Sequence, residues 1–409
     1  MNKKKIINDP LYGFINIPSE LVFDVIETPV FQRLRRINQM GLADFVYPGA
    51  LHTRFHHALG AMHLMGRTLD NLREKGHEIT SQEYEAALLA ILLHDVGHGP
   101  FSHSMENVLI KNINHEEFSL MLMKKINKSF NGALALAIEM FTNQYSRPFF
   151  YQLISSQLDV DRLDYLNRDS FFTGVSEGTI GAERIIKLFD IIDDNIVVEE
   201  KGIYSVENFL NARRLMYWQV YLHKTGLAAD KMLVKIIKRA RFLAKKSSAV
   251  LIPHSSINHY LKDNITHQDL IENPDRLDNF SSLDDHDIWF AVKFWQHNDD
   301  KILSFLSKSF INRRLFKIKL SNTKQTKFNQ QIIVELANKT KLNKNEINYL
   351  FDQGKISNAA YIKTGQKIKM LKKSGEVINI EDATDLPNIK AMSRIVSKYY
   401  VCWANELLL

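Results

Sequence analysis

The stretch LLHDVGHGPFSH, residues 92–103, puts three histidines and an aspartate beside two glycines and a proline. It closes an apolar run, Ala-Ala-Leu-Leu-Ala-Ile-Leu-Leu, at 86–93. A helix that is apolar all round is buried, and an imidazole and a carboxylate at its end are costly there unless partnered. Adjacent helical positions diverge by about 100°. His94 and Asp95 can therefore serve one ion only where the helix is ending, and Gly97, Gly99 and Pro100 supply that ending. A lone His-Asp pair reads best as a capped helix end with a hydrogen-bonded histidine.

The pair is not alone. Arg54-Phe-His56-His57-Ala-Leu-Gly60 lies upstream, and Gln157-Leu-Asp-Val-Asp161-Arg162-Leu-Asp164-Tyr165-Leu-Asn-Arg168-Asp169 lies downstream. Asp161, Tyr165, Arg168 and Asp169 stand at i, i+4, i+7 and i+8, which is one face of a helix. Taken alone, that face is a solvated surface with local ion pairs. Two histidines and two aspartates on separate helices instead suit a divalent transition ion or magnesium. The residues themselves do not choose between His56 and His57.

The rest of the chain bounds the answer. Its 409 residues, 45% hydrophobic and 24% charged, allow a large core and two or more lobes. Cys402 is the single cysteine, so no disulfide forms within the chain and no cysteine zinc site is built. The basic start has no apolar segment after it, and no apolar run reaches the ~20 residues of a membrane helix. The expectation is a cytoplasmic protein. A net charge of +7 favours an anionic partner, a phosphorylated compound or nucleic acid. Basic clusters stand at Arg33–Arg36, Lys235–Arg241 and 313–328, without the interleaved aromatics that stack bases.

Helical periodicity predicts helices over 83–94, 116–126, 132–141, 150–169 and 205–247, with Asn114 or His115 opening the second. A hairpin is predicted at 195–204, turning at Lys201-Gly202. Past about 310 the texture changes. Residues 315–320 alternate like a half-exposed strand, 328–339 read as a helix, 360–363 and 367–371 as strands, and 387–397 as a last helix.

Together these motifs resemble the HD superfamily of metal-dependent phosphohydrolases, whose H…HD…D signature is matched by His57, His94-Asp95 and Asp161. The likeness is closer to its dNTP triphosphohydrolase branch. Thr28-Pro-Val-Phe-Gln-Arg-Leu-Arg35, Pro48-Gly-Ala, Arg54-Phe-x-His57-x-Leu-Gly60, His94-Asp-x-Gly-His-Gly-Pro-Phe-Ser-His103 and Asp161-x-x-Asp-Tyr-x-x-Arg-Asp169 carry it, over about 24–230. The likeness is confined to the HD region, and no sterile-alpha-motif segment is expected ahead of it.

The resemblance implies a mainly α fold. An HD core over 1–190 and a helical extension over 191–310 would complete a nucleotide pocket, followed by a smaller α+β lobe over 311–409. His57, His94, Asp95 and Asp161 would hold one divalent ion per subunit: manganese, iron, zinc, nickel or magnesium. His98, His103, Glu106 and His115 would face the α-phosphate, Glu106 replacing the family's aspartate. Arg54, Arg162, Tyr165 and Arg213 would bind phosphates, Gln39 and Asp169 the sugar 3′-hydroxyl, and Tyr221 the base. Leu222 replaces a frequent glutamine, which bears on base preference.

Glu27, Gln32 and Arg35 match an activating-nucleotide site, while Glu199 replaces an arginine of a second one. The implied activity is hydrolysis of a dNTP, dGTP among them, to deoxynucleoside and triphosphate by a homo-oligomer, a dimer or tetramer. Alternatives are another HD phosphohydrolase, such as a 5′-nucleotidase or a phosphodiesterase, and a silent protein that binds nucleotides or single-stranded nucleic acid. Histidines 98, 103 and 115 keep a two-metal site open.

Overall fold

The computed structural model describes residues 5–101, 105, 108–110, 113–263, 265–358, 366–384 and 396–408. Helices dominate, with three small sheets at the periphery. At the centre, Arg54–Glu74 packs against both Ser81–Leu93 and Val160–Thr173. Ser81–Leu93 starts at a reciprocal cap. The Thr80 hydroxyl accepts from Glu83 N, and the Glu83 carboxylate accepts from Thr80 N at 2.8 Å. Every residue from Ala86 to Leu93 is buried, each large side chain contributing roughly 1.5–3 kcal/mol of transfer free energy.

The helix ends at Leu93, and Gly97 in the turn that follows permits a close approach. A Cβ there would lie 2.2 Å from Ser119 N and 2.4 Å from His115 O. His115–Ser129 thus packs directly on the turn, and its Ser119 accepts from Gly97 N at 2.9 Å and donates to His94 O at 2.6 Å. Asn114 caps it by accepting from Glu117 N.

Several expectations need correction. The helix expected over 150–169 is two, Phe149–Ile154 and Val160–Thr173. Asp159 caps the second, accepting from Arg162 N at 2.8 Å, while its other oxygen accepts from Ser156 N at 2.6 Å. The helix expected over 205–247 is Ile203–Met216 and Lys224–Ala244, joined through a wide turn at Tyr217–Tyr221. The hairpin lies earlier than expected. Phe189–Ile192 pairs antiparallel with Asn195–Glu199, and the turn is Asp193-Asp194, both at positive φ. Gly202 marks tight packing instead, since a Cβ there would meet Val198 at 2.7 Å.

Lys369–Leu371 adds in parallel to Asn195–Glu199 and pairs with Val377–Asn379. A separate sheet has Val396–Trp403 at its centre, between Lys317–Ser321 and Phe351–Asn358. Of the expected last helix, 387–395 lie outside the described residues, and 396–397 open this central strand. The strand expected at 360–363 also lies outside them. No described helix is long and apolar enough to cross a membrane.

Candidate active site

Thr53 opens the Arg54–Glu74 helix, and His56 is used in that cap: its Nδ1 accepts from Thr53 N at 3.2 Å and lies 2.9 Å from Thr53 Oγ1. His57, one position on, is fully buried and points the other way. Its Nδ1 donates to Asp164 Oδ2 at 2.7 Å. Its Nε2 lies 3.1 Å from Asp161 Oδ1 and 3.8 Å from Asp95 Oδ2. His94 Nδ1 donates to Ile91 O at 2.6 Å, leaving Nε2 at 3.4 Å from Asp161 Oδ1 and 3.3 Å from Asp95 Oδ1.

Both Nε2 atoms are buried without a hydrogen bond. Each therefore faces carboxylate oxygens, an arrangement that calls for a positive charge between them, a proton on the ring or a metal ion in its place. Spacings near 3 Å suit two donors of one ion with bonds of about 2.1 Å. The donor set fits a divalent ion. Burial alone would lower the pKa of His57, but Asp161 and Asp164 overcome this and raise it to about 10. Against its own burial, Asp161 is held well below the carboxylate range by His57 and His94.

Asp164 fixes the tautomer of His57. It is buried and also accepts from Arg168 Nε at 2.9 Å and Nη2 at 3.0 Å. Arg168 in turn donates to Asp9 Oδ2 at 2.8 Å, from the N-terminal hairpin of Ile6–Asp9 and Gly13–Asn16. Gly60 makes room for this chain of charges: a Cβ there would sit 2.1 Å from Asp164 Oδ1 and 2.2 Å from Arg168 Nη2. Arg168 thus leaves the face expected for it. Asp161, Tyr165 and Asp169 line a cavity, while Arg168 is buried beneath.

That cavity measures about 470 Å³ and is lined by Gln39, Arg54, His94, Asp95, His98, His115, Asp161, Arg162, Tyr165, Asp169 and Tyr221. Arg54 pairs with Asp95 through Nη1. His98 Nε2 lies 3.3 Å from Asp95 Oδ1, and its ring stacks on His115 with centroids 4.0 Å apart. Burial and then Arg54 push the pKa of His98 well below its ordinary value. Asp95, His98 and His115 form a second group with ligating spacing, beside His57, His94 and Asp161. Arg162 Nη1 lies 2.5 Å from Asp159 Oδ2, whose carboxyl burial raises to about 6 against the pull of Arg162.

Asp169 accepts from His52 Nε2 and from the Tyr221 hydroxyl, both at 2.7 Å. The sequence reading gives no role to His52 or Asp9, and Asp164, although it stands inside the Asp161-x-x-Asp-Tyr motif, is given none either. Arg213 does not line the cavity and turns to Gln157 Oε1 at 3.3 Å. His103 and Glu106 lie outside the described residues. Glu27, Gln32 and Arg35 lie apart from the cavity lining. Gln32 donates to Ile26 O at 2.8 Å, and Arg35 donates to Gln32 Oε1 and lies 3.6 Å over the Phe55 ring. A cavity of similar size, about 450 Å³, opens beside the Phe189–Ile192 sheet and is lined by no histidine among the described residues.

The HD domain model matches residues 54–193, and an HD associated region matches 180–251. A phosphohydrolase from Bacteroides thetaiotaomicron of known structure is 47% identical. The match covers 98% of this chain and all of that one, with a TM-score of 0.93. The chain belongs to the HD-domain phosphohydrolases. The uncharacterised protein YwfO of Bacillus subtilis is 35% identical over 326 residues, 77% of this chain and 72% of that protein. A deoxynucleoside triphosphate triphosphohydrolase SAMHD1 homolog of Dictyostelium discoideum is 32% identical over 62% of this chain. The match spans only 53% of that relative's length.

Proposed function

We propose that this HD protein is a metal-dependent dNTP triphosphohydrolase that releases deoxynucleoside and triphosphate, with dGTP among its substrates. The observation that carries the reading is one cavity in which the histidine–aspartate cluster adjoins Tyr165 and the Asp169–Tyr221 pair. A relative named as such an enzyme matches over 62% of this chain. His57, His94, Asp95 and Asp161 would hold a divalent ion, which would supply Lewis acidity toward the α-phosphate. Arg54 and Arg162 neutralise charge on the phosphates. Asp169, oriented by His52 and Tyr221, accepts from the sugar 3′-hydroxyl with Gln39 beside it, and Tyr165 closes on the sugar. His115 donates a proton to the leaving 5′-oxygen, and the neutral ring of His98 stacked on it fixes its plane.

The protein acts in the cytoplasm as a homo-oligomer in this reading, with Glu27, Gln32 and Arg35 offered to an activating nucleotide. The test is a panel of dNTPs with products resolved by anion exchange. Inorganic triphosphate with deoxynucleoside supports the reading. Orthophosphate or monoester products would instead support a two-ion phosphohydrolase, which the Asp95–His98–His115 group favours.

A further inference from the structure

Behind His57 runs a line of buried charge that ends in the hairpin of Ile6–Asp9 and Gly13–Asn16. His57 Nδ1 meets Asp164, Asp164 accepts two bonds from Arg168, and Arg168 reaches Asp9. Asp9, Asp164 and Arg168 are each no more than 4% exposed. Arg168 spends Nε, Nη1 and Nη2 on these two carboxylates. Tyr12, in the same turn as Asp9, lays its ring 5.4 Å from the Arg168 guanidinium. The turn thus supplies both a charge and a cover.

Asp9 divides its two oxygens between different tasks. Oδ1 accepts from Leu11 N at 2.9 Å and Tyr12 N at 3.0 Å, which shapes the turn. Oδ2 accepts from Arg168 Nη1 at 2.8 Å, and Oδ1 adds only a longer contact with Nη2 at 3.4 Å. The turn needs one neutral acceptor; the second oxygen brings a full charge to Arg168. Ile15 and Ile17, both buried, anchor the hairpin independently. In formal charge Arg168 cancels Asp164, and Asp9 leaves the trio with one net negative charge behind the His57 ring. Charges interact strongly in buried surroundings. That residual charge draws cations to the far side of the ring, and a doubly charged ion gains more from it than the proton it displaces. Without Asp9 the ring would be backed by a neutral pair.

We propose that Asp9 is a positioning residue for the metal centre: its charge, passed through Arg168 and Asp164 to His57, tightens the divalent ion and couples docking of the hairpin to metal binding. The inference rests on the proposed ligand role of His57. Coupling between two binding events is reciprocal. A docked Asp9 that tightens the ion requires that the bound ion hold the hairpin by the same factor. A two-stranded hairpin is marginal by itself, so its docking is the part of the fold able to respond.

The experiment titrates the metal-free full chain with manganese alone, the free ion being read by electron paramagnetic resonance. Asp9→Asn retains an acceptor for Leu11 N and Tyr12 N and removes the charge. It should weaken manganese binding by about 3- to 10-fold, less than the roughly 10- to 100-fold usual for the direct partner of a ligand. Hydrogen exchange over residues 6–16 of the wild type should slow by a similar factor when manganese is added. That metal dependence should disappear in Asp9→Asn. His57→Ala should abolish binding. Manganese binding that survives His57→Ala, or is absent from the wild type, overturns the ligand reading and this proposal with it. Where His57→Ala loses the ion but Asp9→Asn keeps wild-type affinity, only this proposal falls. A lower melting temperature of metal-free Asp9→Asn with unchanged manganese affinity makes Asp9 a structural partner of Arg168 and overturns it. Wild-type hairpin exchange that manganese leaves unaltered overturns the coupling without recourse to any variant.

Discussion

Replacing Asp164 with asparagine perturbs the metal cluster without touching a proposed ligand and with almost no change of volume. In the wild type, one oxygen accepts from His57 Nδ1 and Arg168 Nε, and the other accepts from Arg168 Nη2. Asparagine keeps one oxygen and turns the other into a donor. If the amide N–H₂ faces His57, the ring moves its proton to Nε2 and loses the lone pair that points at Asp161. If it faces Arg168, two donors confront each other in a buried site. Breaking a buried ion pair outright costs about 3–5 kcal/mol, but Arg168 keeps Asp9 at 2.8 Å. The expected loss of stability is therefore about 2–3 kcal/mol, below the full figure. Metal affinity should fall about 10- to 100-fold, the usual effect of losing the carboxylate behind a histidine ligand. Chelator competition measures the affinity, and urea unfolding of metal-free protein measures the stability.

The pH dependence sharpens this test. Burial raises the pKa of Asp164, but Arg168 and His57 outweigh it, so the folded value lies below the ordinary one. Its stabilisation is present above the unfolded pKa of about 4 and is lost as pH falls through the lower folded value. Wild-type and variant stabilities should converge on acidification. Wild-type metal affinity in the variant would refute the tautomer argument. A stability gap that stays constant from neutral pH into strong acid would refute the ion-pair argument.

Gly60→Ala drives a methyl into the same ion pair and should destabilise by about 3 kcal/mol or more with reduced metal content; a variant as stable as the wild type in urea would show that the two helices can separate. The buried carboxyl of Asp285 is raised to about 6 although it accepts from Asn38 N and Phe101 N. The folded state holds its proton more tightly, so stability relative to Asp285→Asn should fall by up to about 3 kcal/mol as pH rises from 4 to 6; a difference that is flat over that window counts against the shift. His115→Ala should lower kcat about 10²- to 10⁴-fold with metal content and dNTP affinity nearly intact, and the loss should shrink for a p-nitrophenyl ester, whose leaving group needs no proton. GTP should be a poorer substrate than dGTP because Tyr165 and Asp169 crowd the sugar; equal turnover removes that reading.

The helices and the convergence of His57, His94 and Asp161 were legible because an apolar run and an ordered motif carry them. An apolar run cut by Gly97 marks a buried helix end, and His57, His94-Asp95 and Asp161 keep a fixed order. What supports the cluster was not legible. Asp164 and Arg168 look like a surface i, i+4 pair until Gly60 shows that another helix lies on them. Asp9 precedes any recognised motif and acts across 159 residues. The break at 155–159 was missed because Gln157-Leu158-Asp159 continues the helical pattern. Asp159 is a capping residue only in light of what its oxygens accept. In the last lobe, Val396–Trp403 owes its strand state to pairing on both edges, which no single segment announces.

The turn at 94–101 shows why distant parts of the chain belong to this site. A buried turn leaves main-chain polar groups that water cannot reach, and each must find a partner. Arg33, fully buried, donates to Val96 O at 2.9 Å and His98 O at 2.7 Å with one amine, and to Phe280 O and Leu283 O with the other. Burial lowers its pKa to about 10, so it remains charged at neutral pH. Asp285 accepts from Phe101 N, and Ser119 bridges Gly97 N and His94 O. The segment that carries His94, Asp95 and His98 is thus clamped by an early arginine, by a helix that follows it and by the 280–285 region almost two hundred residues later. A turn held from three directions keeps its side chains in place before any substrate arrives, which is what electrostatic stabilisation of a developing charge requires. The 280–285 region is therefore part of what holds this turn, and substitutions there should act on the turn at 94–101 as well as on local stability.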